Sequence, residues 1–162
     1  MRPIDPATYR RALSHYPTGV TVVTGMDDEG WPLGLTIGTF TSVSLDPPLV
    51  GFLPAKASRG WRQIAATGSF CVNVLRHEQE DLCRQFARRP EDRFEGLSWR
   101  TSPGGSPILG GVLAWMDCTI ESTVDAGDHW FVMGRVQHLE VRSGLPLVFF
   151  SGALDTVRGA TA

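Results

Sequence analysis

Turn-forming clusters cut this chain into short apolar runs, and that punctuation limits the fold more than any other feature. Asp27-Asp28-Glu29-Gly30, Asp46-Pro47-Pro48, Asp125-Ala126-Gly127-Asp128 and Gly144-Leu145-Pro146 each interrupt the sequence where a long helix or a βαβ unit would need continuity. Between them, residues 18–24, 33–43, 49–53, 69–75, 112–124, 129–141 and 147–150 are apolar or β-branched and read as strands, the first two as a hairpin. Three short helices interrupt the strands. One starts at the Asp5-Pro6 N-cap and carries Tyr9, Leu13 and Tyr16 on one face, and one runs from the cap Ser58 through Ala66. The third spans 78–87 with Leu82, Cys83 and Phe86 as its buried stripe. Strands and helices do not alternate, which favours an antiparallel barrel, mainly β with short helices, over a doubly wound sheet. Residues 103–111, with four glycines and two prolines, read as a surface loop.

The chain has 162 residues, within the roughly 100 to 200 of one domain, so a single domain over 1–162 with its core at about 5–155 is expected. Fifteen basic against 17 acidic residues give a net charge of −2, which argues against nucleic acid as a partner. No apolar run approaches the ~18 residues of a membrane-spanning helix. Asp5 stands where a secretory signal needs its apolar stretch, so export is not expected. Cys71, Cys83 and Cys118 are odd in number and lack CxxC spacing, which predicts reduced thiols and a cytoplasmic location.

Common catalytic motifs are missing. Neither 34–38 nor 104–111 supplies G-x-G-x-x-G, and 51–56 lacks the second glycine of a P-loop and the hydroxyl residue after its lysine. No G-x-S-x-G or H-E-x-x-H occurs, and His15, His77, His129 and His138 lack metal-ligand spacing, so no metal is expected.

Three clusters carry chemistry. Thr36, Gly38, Thr39, Thr41 and Ser42 around Phe40 put small and hydroxyl residues where a core strand would carry bulk. They suit a flat heterocycle lying along a sheet edge, although taken alone the run reads first as a solvated strand face, since Thr is a common strand residue. Lys56-Ala57-Ser58-Arg59 joins the one lysine of the chain to a helix start, where free N–H groups and the dipole favour an anion such as phosphate. Ordinary capping explains the same residues. His129, directly after the 125–128 turn, is placed to present its ring at a pocket mouth, and Arg93 in the 88–94 loop is suited to clamp an anion.

Taken in order, 17–24 (PTGVTVVT), 39–50 (TFTSVSLDPPLV), 70–75 (FCVNVL) and Gly127-Asp128-His129 resemble the flavin reductase-like family, the small NAD(P)H:flavin oxidoreductases that serve two-component flavin-dependent monooxygenases. The likeness runs from the first helix to about Gly152. It implies a split β-barrel of Greek-key type, the FMN-binding split barrel, normally a homodimer that covers its apolar strand edges. It also implies FMN or FAD as the flavin, NADH or NADPH as co-substrate, and a partner monooxygenase reached by diffusible reduced flavin. The strand from Thr36 to Ser42 would follow the isoalloxazine ring. Lys56, Ala57 and Ser58 would meet the phosphate, with Trp61 and Arg93 near the tail, and His129 would face the nicotinamide. Phe150 and Ser151 match a segment where relatives often carry an aromatic residue and arginine. Serine at 151 leaves open what serves the dinucleotide contact of that arginine. A non-reductive flavin-, deazaflavin- or haem-binding protein on the same barrel is the alternative function.

Overall fold

The structure, a computed structural model, describes residues 3–88 and 93–157. Asp5 Oδ1 accepts from the backbone N–H groups of Ala7 and Thr8, each at 3.0 Å, and Pro6 opens α1 (Pro6–Leu13). The chain enters β1 (Thr18–Gly19) and β2 (Thr21–Met26), turns at Asp27, and returns as β3 (Pro32–Ile37). β4 (Thr41–Leu45) and β5 (Pro48–Phe52) form the next hairpin. α2 (Arg59–Thr67) starts at Ser58 and stops at Gly68, whose φ of 76° is the left-handed conformation that glycine adopts without steric cost. β6 (Ser69–Val74), a 3-10 turn (His77–Gln79) and α3 (Glu80–Phe86) follow. Then come β7 (Trp99–Thr101), β8 (Pro107–Leu109), the long hairpin β9 (Ala114–Ala126) and β10 (His129–Val141), and β11 (Leu147–Phe150) with β12 (Ala153–Thr156).

The main sheet has seven strands in the order β3-β2-β6-β9-β10-β5-β4, so β3 and β4, neighbours in sequence, are its opposite edges. Seven flat strands at the usual spacing would hold those edges about 29 Å apart. The link from Ile37 to Thr41 reaches at most about 14 Å. The sheet therefore curls until its edges approach, and Thr39 fastens the seam: its Oγ1 accepts from Leu53 N at 2.9 Å and donates to Leu53 O at 3.3 Å. The result is a split barrel, mainly β with three short α-helices, flanked by a three-stranded sheet (β1-β11-β12) and the β7-β8 hairpin. Gly134 on β10 admits the ring of Phe70, since a Cβ there would lie 2.3 Å from Phe70 Cζ.

β2 is buried on both faces. Val22 packs with Leu75, Phe86, Leu109 and Leu147, whereas Val23 packs with Phe52, Trp61, Ile64 and Phe70.

Several expectations are corrected. The 18–24 run is two strands in two sheets, because Val20 switches partners, donating to Leu147 O and accepting from Leu75 N. The 33–43 run breaks at 38–40 for the closure just described. The 103–111 stretch contains the buried strand β8, and β7 and β12 have no counterpart among the expected strands. α1 ends at Leu13, so Tyr16, expected on its face, lies beyond it, and Tyr9, Leu13 and Tyr16 are all exposed.

Candidate active site

As an edge strand, β3 leaves alternate backbone N–H and C=O groups outside any ladder. Ile37 turns inward, its carbonyl held by Thr21 Oγ1 at 2.9 Å, so Thr36 and Gly38 turn outward. They line a cavity of about 670 Å³ whose other walls include Thr18, Cys83, Arg84 and Phe149. Thr39 is committed to the seam, and Phe40 leans on the inner core. Thr41 and Ser42 sit exposed on β4, the facing edge. Expected as one continuous strand, the Thr36 to Ser42 residues instead occupy both sides of the split.

The connection from β5 to α2 is clamped to the β9–β10 turn. Ala55 bridges His129, Lys56 N donates to Asp128 O at 2.9 Å, and Trp130 N donates to Pro54 O at 3.0 Å. Lys56 and His129, 73 positions apart by number, thus share one rim. The Lys56 ammonium pairs with Asp125 and lies 4.6 Å from the centre of the Trp130 ring. That contact holds the Asp125 carboxyl below its ordinary value. Ala57 is exposed, and Ser58 Oγ accepts from Trp61 N at 3.2 Å, which leaves the hydroxyl proton free to donate. The hydrogen bond with His129 likewise holds Asp128 low, so its carboxylate only accepts, and His129 Nδ1 is the donor across 2.7 Å.

Arg93 donates from Nη1 to Gly34 O at 2.7 Å and from Nε to Arg88 O at 3.1 Å. It lines a second cavity of about 700 Å³ with Arg59, Gly60, Gln63, Trp31 and Trp99. Trp61 departs from expectation. It is 2% exposed, edge-on to Phe52 at 5.1 Å, because Trp61 and Ile64 form the inward face of α2 while Arg59, Gly60 and Gln63 face the cavity.

Phe150 and Ser151 stand at the β11–β12 turn. Ser151 has φ 50° and Gly152 φ 83°, the left-handed pair that a tight hairpin favours, and Ser151 N donates to Ser14 O. Strand alternation turns Phe149, not Phe150, toward the 670 Å³ cavity. Thr18, Arg84 and Phe149 are candidate residues that sequence reasoning missed; only the period of two in 147–150 pointed to Phe149. Among the described residues no group of three or more His, Cys, Asp or Glu side chains could hold a metal ion.

Residues 13–158 match the family described as flavin reductase like domain. The chain is 50% identical over 150 residues to a flavin reductase of Pseudomonas putida, covering 92% of this chain and 88% of that one. It is 49% identical to the reductase subunit of a flavin-dependent monooxygenase of Rhodococcus jostii, over 92% of this chain and 76% of the relative. An NADH:FAD oxidoreductase of Streptomyces globisporus, solved with NAD and FAD fragments, superposes with a TM-score of 0.90 at 32% identity, each chain covered in full (100%).

Proposed function

The chain belongs to the flavin reductase-like family, and from that premise we propose that it is an NAD(P)H:flavin oxidoreductase that supplies reduced flavin to a partner monooxygenase. The reading is carried by one observation: a single run of contacts links the β3 edge, through Thr39 and Leu53, to Lys56 and His129. A cavity of about 670 Å³ fits a flat ring system, since small-ligand sites usually measure roughly 300–1,000 Å³.

A bound nicotinamide and flavin would supply the redox chemistry, a hydride exchange that asks no acid or base of the protein. The chain contributes placement. Backbone groups at Thr36 on β3 and at Gly38 just past it would hydrogen-bond the flavin ring, Lys56 and Ser58 would hold the phosphate, and His129 would orient the carboxamide of the nicotinamide. With Nδ1 donating to Asp128, a neutral His129 keeps Nε2 as an acceptor for the carboxamide N–H. Arg59 and Gly60 follow Ser58 directly and open onto the 700 Å³ cavity with Trp31 and Trp99, room that an adenylate needs and FMN lacks. FAD is therefore the favoured flavin and NADH the favoured nicotinamide, the pairing named for the Streptomyces relative.

We further propose a cytoplasmic homodimer of one-domain subunits. The three free thiols support the compartment, and the uncovered face of α1 supports the dimer. Among the described residues no helix is long and apolar enough to cross a membrane.

The test is a steady-state assay of NADH and NADPH against FAD, FMN and riboflavin. Flavin-dependent nicotinamide oxidation is expected, with FAD giving the lowest KM. Failure of every combination to exceed the uncatalysed rate would overturn the reductase and leave a flavin-binding protein.

A further inference from the structure

Asp125, near the end of β9, and Asp128, in the turn that follows it, each hold a residue to which the proposed function gives a role. The Asp128 contact orients His129. The Asp125 contact does something different, because its Oδ2 takes a donor of the same ammonium that is assigned to the flavin phosphate. Asp125 is itself steadied by Gly127 N, which donates to Oδ1 at 3.3 Å. The end of the β9–β10 hairpin that carries it is pinned by the backbone bonds of Lys56 and Trp130.

We propose that Asp125 is a built-in competitor for Lys56 that lowers affinity for flavins bearing a phosphate and leaves riboflavin untouched. The inference rests on the assignment of Lys56 to the phosphate. Two effects act together. A carboxylate at the ammonium occupies one of its three donors, and its negative charge repels an arriving phosphate. Neither effect reaches a flavin without phosphate. The Trp130 ring holds the lysine stem and head in place, so loss of Asp125 would leave Lys56 positioned and unengaged. Lys56 and Asp125 side chains are 31% and 68% exposed, so water screens the pair and the effect is modest. For a reductase whose reduced product must leave, a limit on phosphate affinity speeds release.

The experiment measures dissociation constants of FMN and riboflavin for the full chain by flavin fluorescence quenching, in wild type, Asp125→Asn, Lys56→Ala and the double variant. Asparagine keeps an acceptor for Gly127 N, so the turn survives. Asp125→Asn should tighten FMN about two- to fivefold, the scale of exposed ion pairs, with riboflavin unchanged. The gain should vanish in the Lys56→Ala background. Weaker FMN binding in Asp125→Asn would make the carboxylate a positioning group for Lys56 and overturn the proposal. So would an unchanged ratio of FMN to riboflavin affinity in Asp125→Asn while Lys56→Ala still lowers it. If Lys56→Ala itself leaves that ratio unchanged, the phosphate assignment fails and the competitor fails with it.

Discussion

His129 and Cys83 report on the two halves of the site at the residue scale. His129→Ala should raise the KM for NADH while flavin affinity stays nearly intact, because lost uniform binding appears in KM before kcat. Poor flavin binding with an unchanged nicotinamide KM would instead assign the ring to the flavin pocket. Asp128→Ala should move KM in the same direction by less, since the ring stays and only its tautomer and angle are freed. The hydrogen bond with His129 holds the Asp128 carboxyl below the ordinary aspartate range, so the carboxylate that accepts from His129 persists until acid carries it through that lowered value. Cys83 is the one partly exposed thiol, raised by its partial burial, and it lines the cavity with Thr36 and Gly38. Cys71 and Cys118 are buried, and burial raises both, Cys118 to about 12. Slow alkylation should therefore fall on Cys83 and slow further with saturating flavin. An unchanged labelling rate would move the isoalloxazine ring out of this cavity. The Lys56 and His129 positions stood out in the sequence because a lone lysine and a post-turn histidine are local signals. Their sharing of a rim was not legible, since it depends on the Ala55 bridge between distant segments.

At the scale of elements, the caps read true and the long-range partners did not. Asp5, Ser58 and Gly68 bound their helices by chemistry contained in a few neighbouring residues. β8 has no such local signature: Pro107 and the glycines of 103–111 imitate a loop. What makes it a strand is remote. Asn73 Oδ1 accepts from Leu109 N at 2.8 Å, Asn73 Nδ2 donates to Val22 O at 3.2 Å, and Thr24 Oγ1 donates to Pro107 O. The fully buried Asp117 adds bonds from Ser102 Oγ at 2.8 Å and Gly104 N at 2.6 Å. Asn73→Ala would strand the Leu109 N–H in the core, at about 1–3 kcal/mol. For a chain of this size each kcal/mol lowers Tm by roughly 2–4 °C. A thermal melt of Asn73→Ala indistinguishable from wild type would mean that β8 is held by apolar packing alone. The break of the 33–43 run at 38–40 has the same origin, a closure between edges that no window of sequence contains.

At the scale of the whole molecule, the described residues leave apolar surface that they do not cover themselves. α1 has eight residues and none is buried, although a helix this short is marginal without a packing partner. Tyr9 and Leu13 on it and Tyr16 just beyond it are 57%, 54% and 74% exposed, and Phe150 adds 45% at the other end of the Ser14–Ser151 contact. Scattered apolar residues need no explanation, but these lie on two segments joined by a backbone hydrogen bond. A second copy covering them would explain why the helix carries that face. Light scattering at micromolar concentration should therefore return twice the 17.7 kDa of the chain. Leu13→Arg with Tyr16→Arg should shift the mass toward one copy, because two buried guanidinium groups without partners oppose association. A wild-type monomer at that concentration would sink the dimer and leave the α1 face free. If the dimer forms, the double variant should also weaken flavin binding. The 151–152 turn tied to Ser14 carries Gly152 in the cavity wall, and loosening α1 loosens that wall with it.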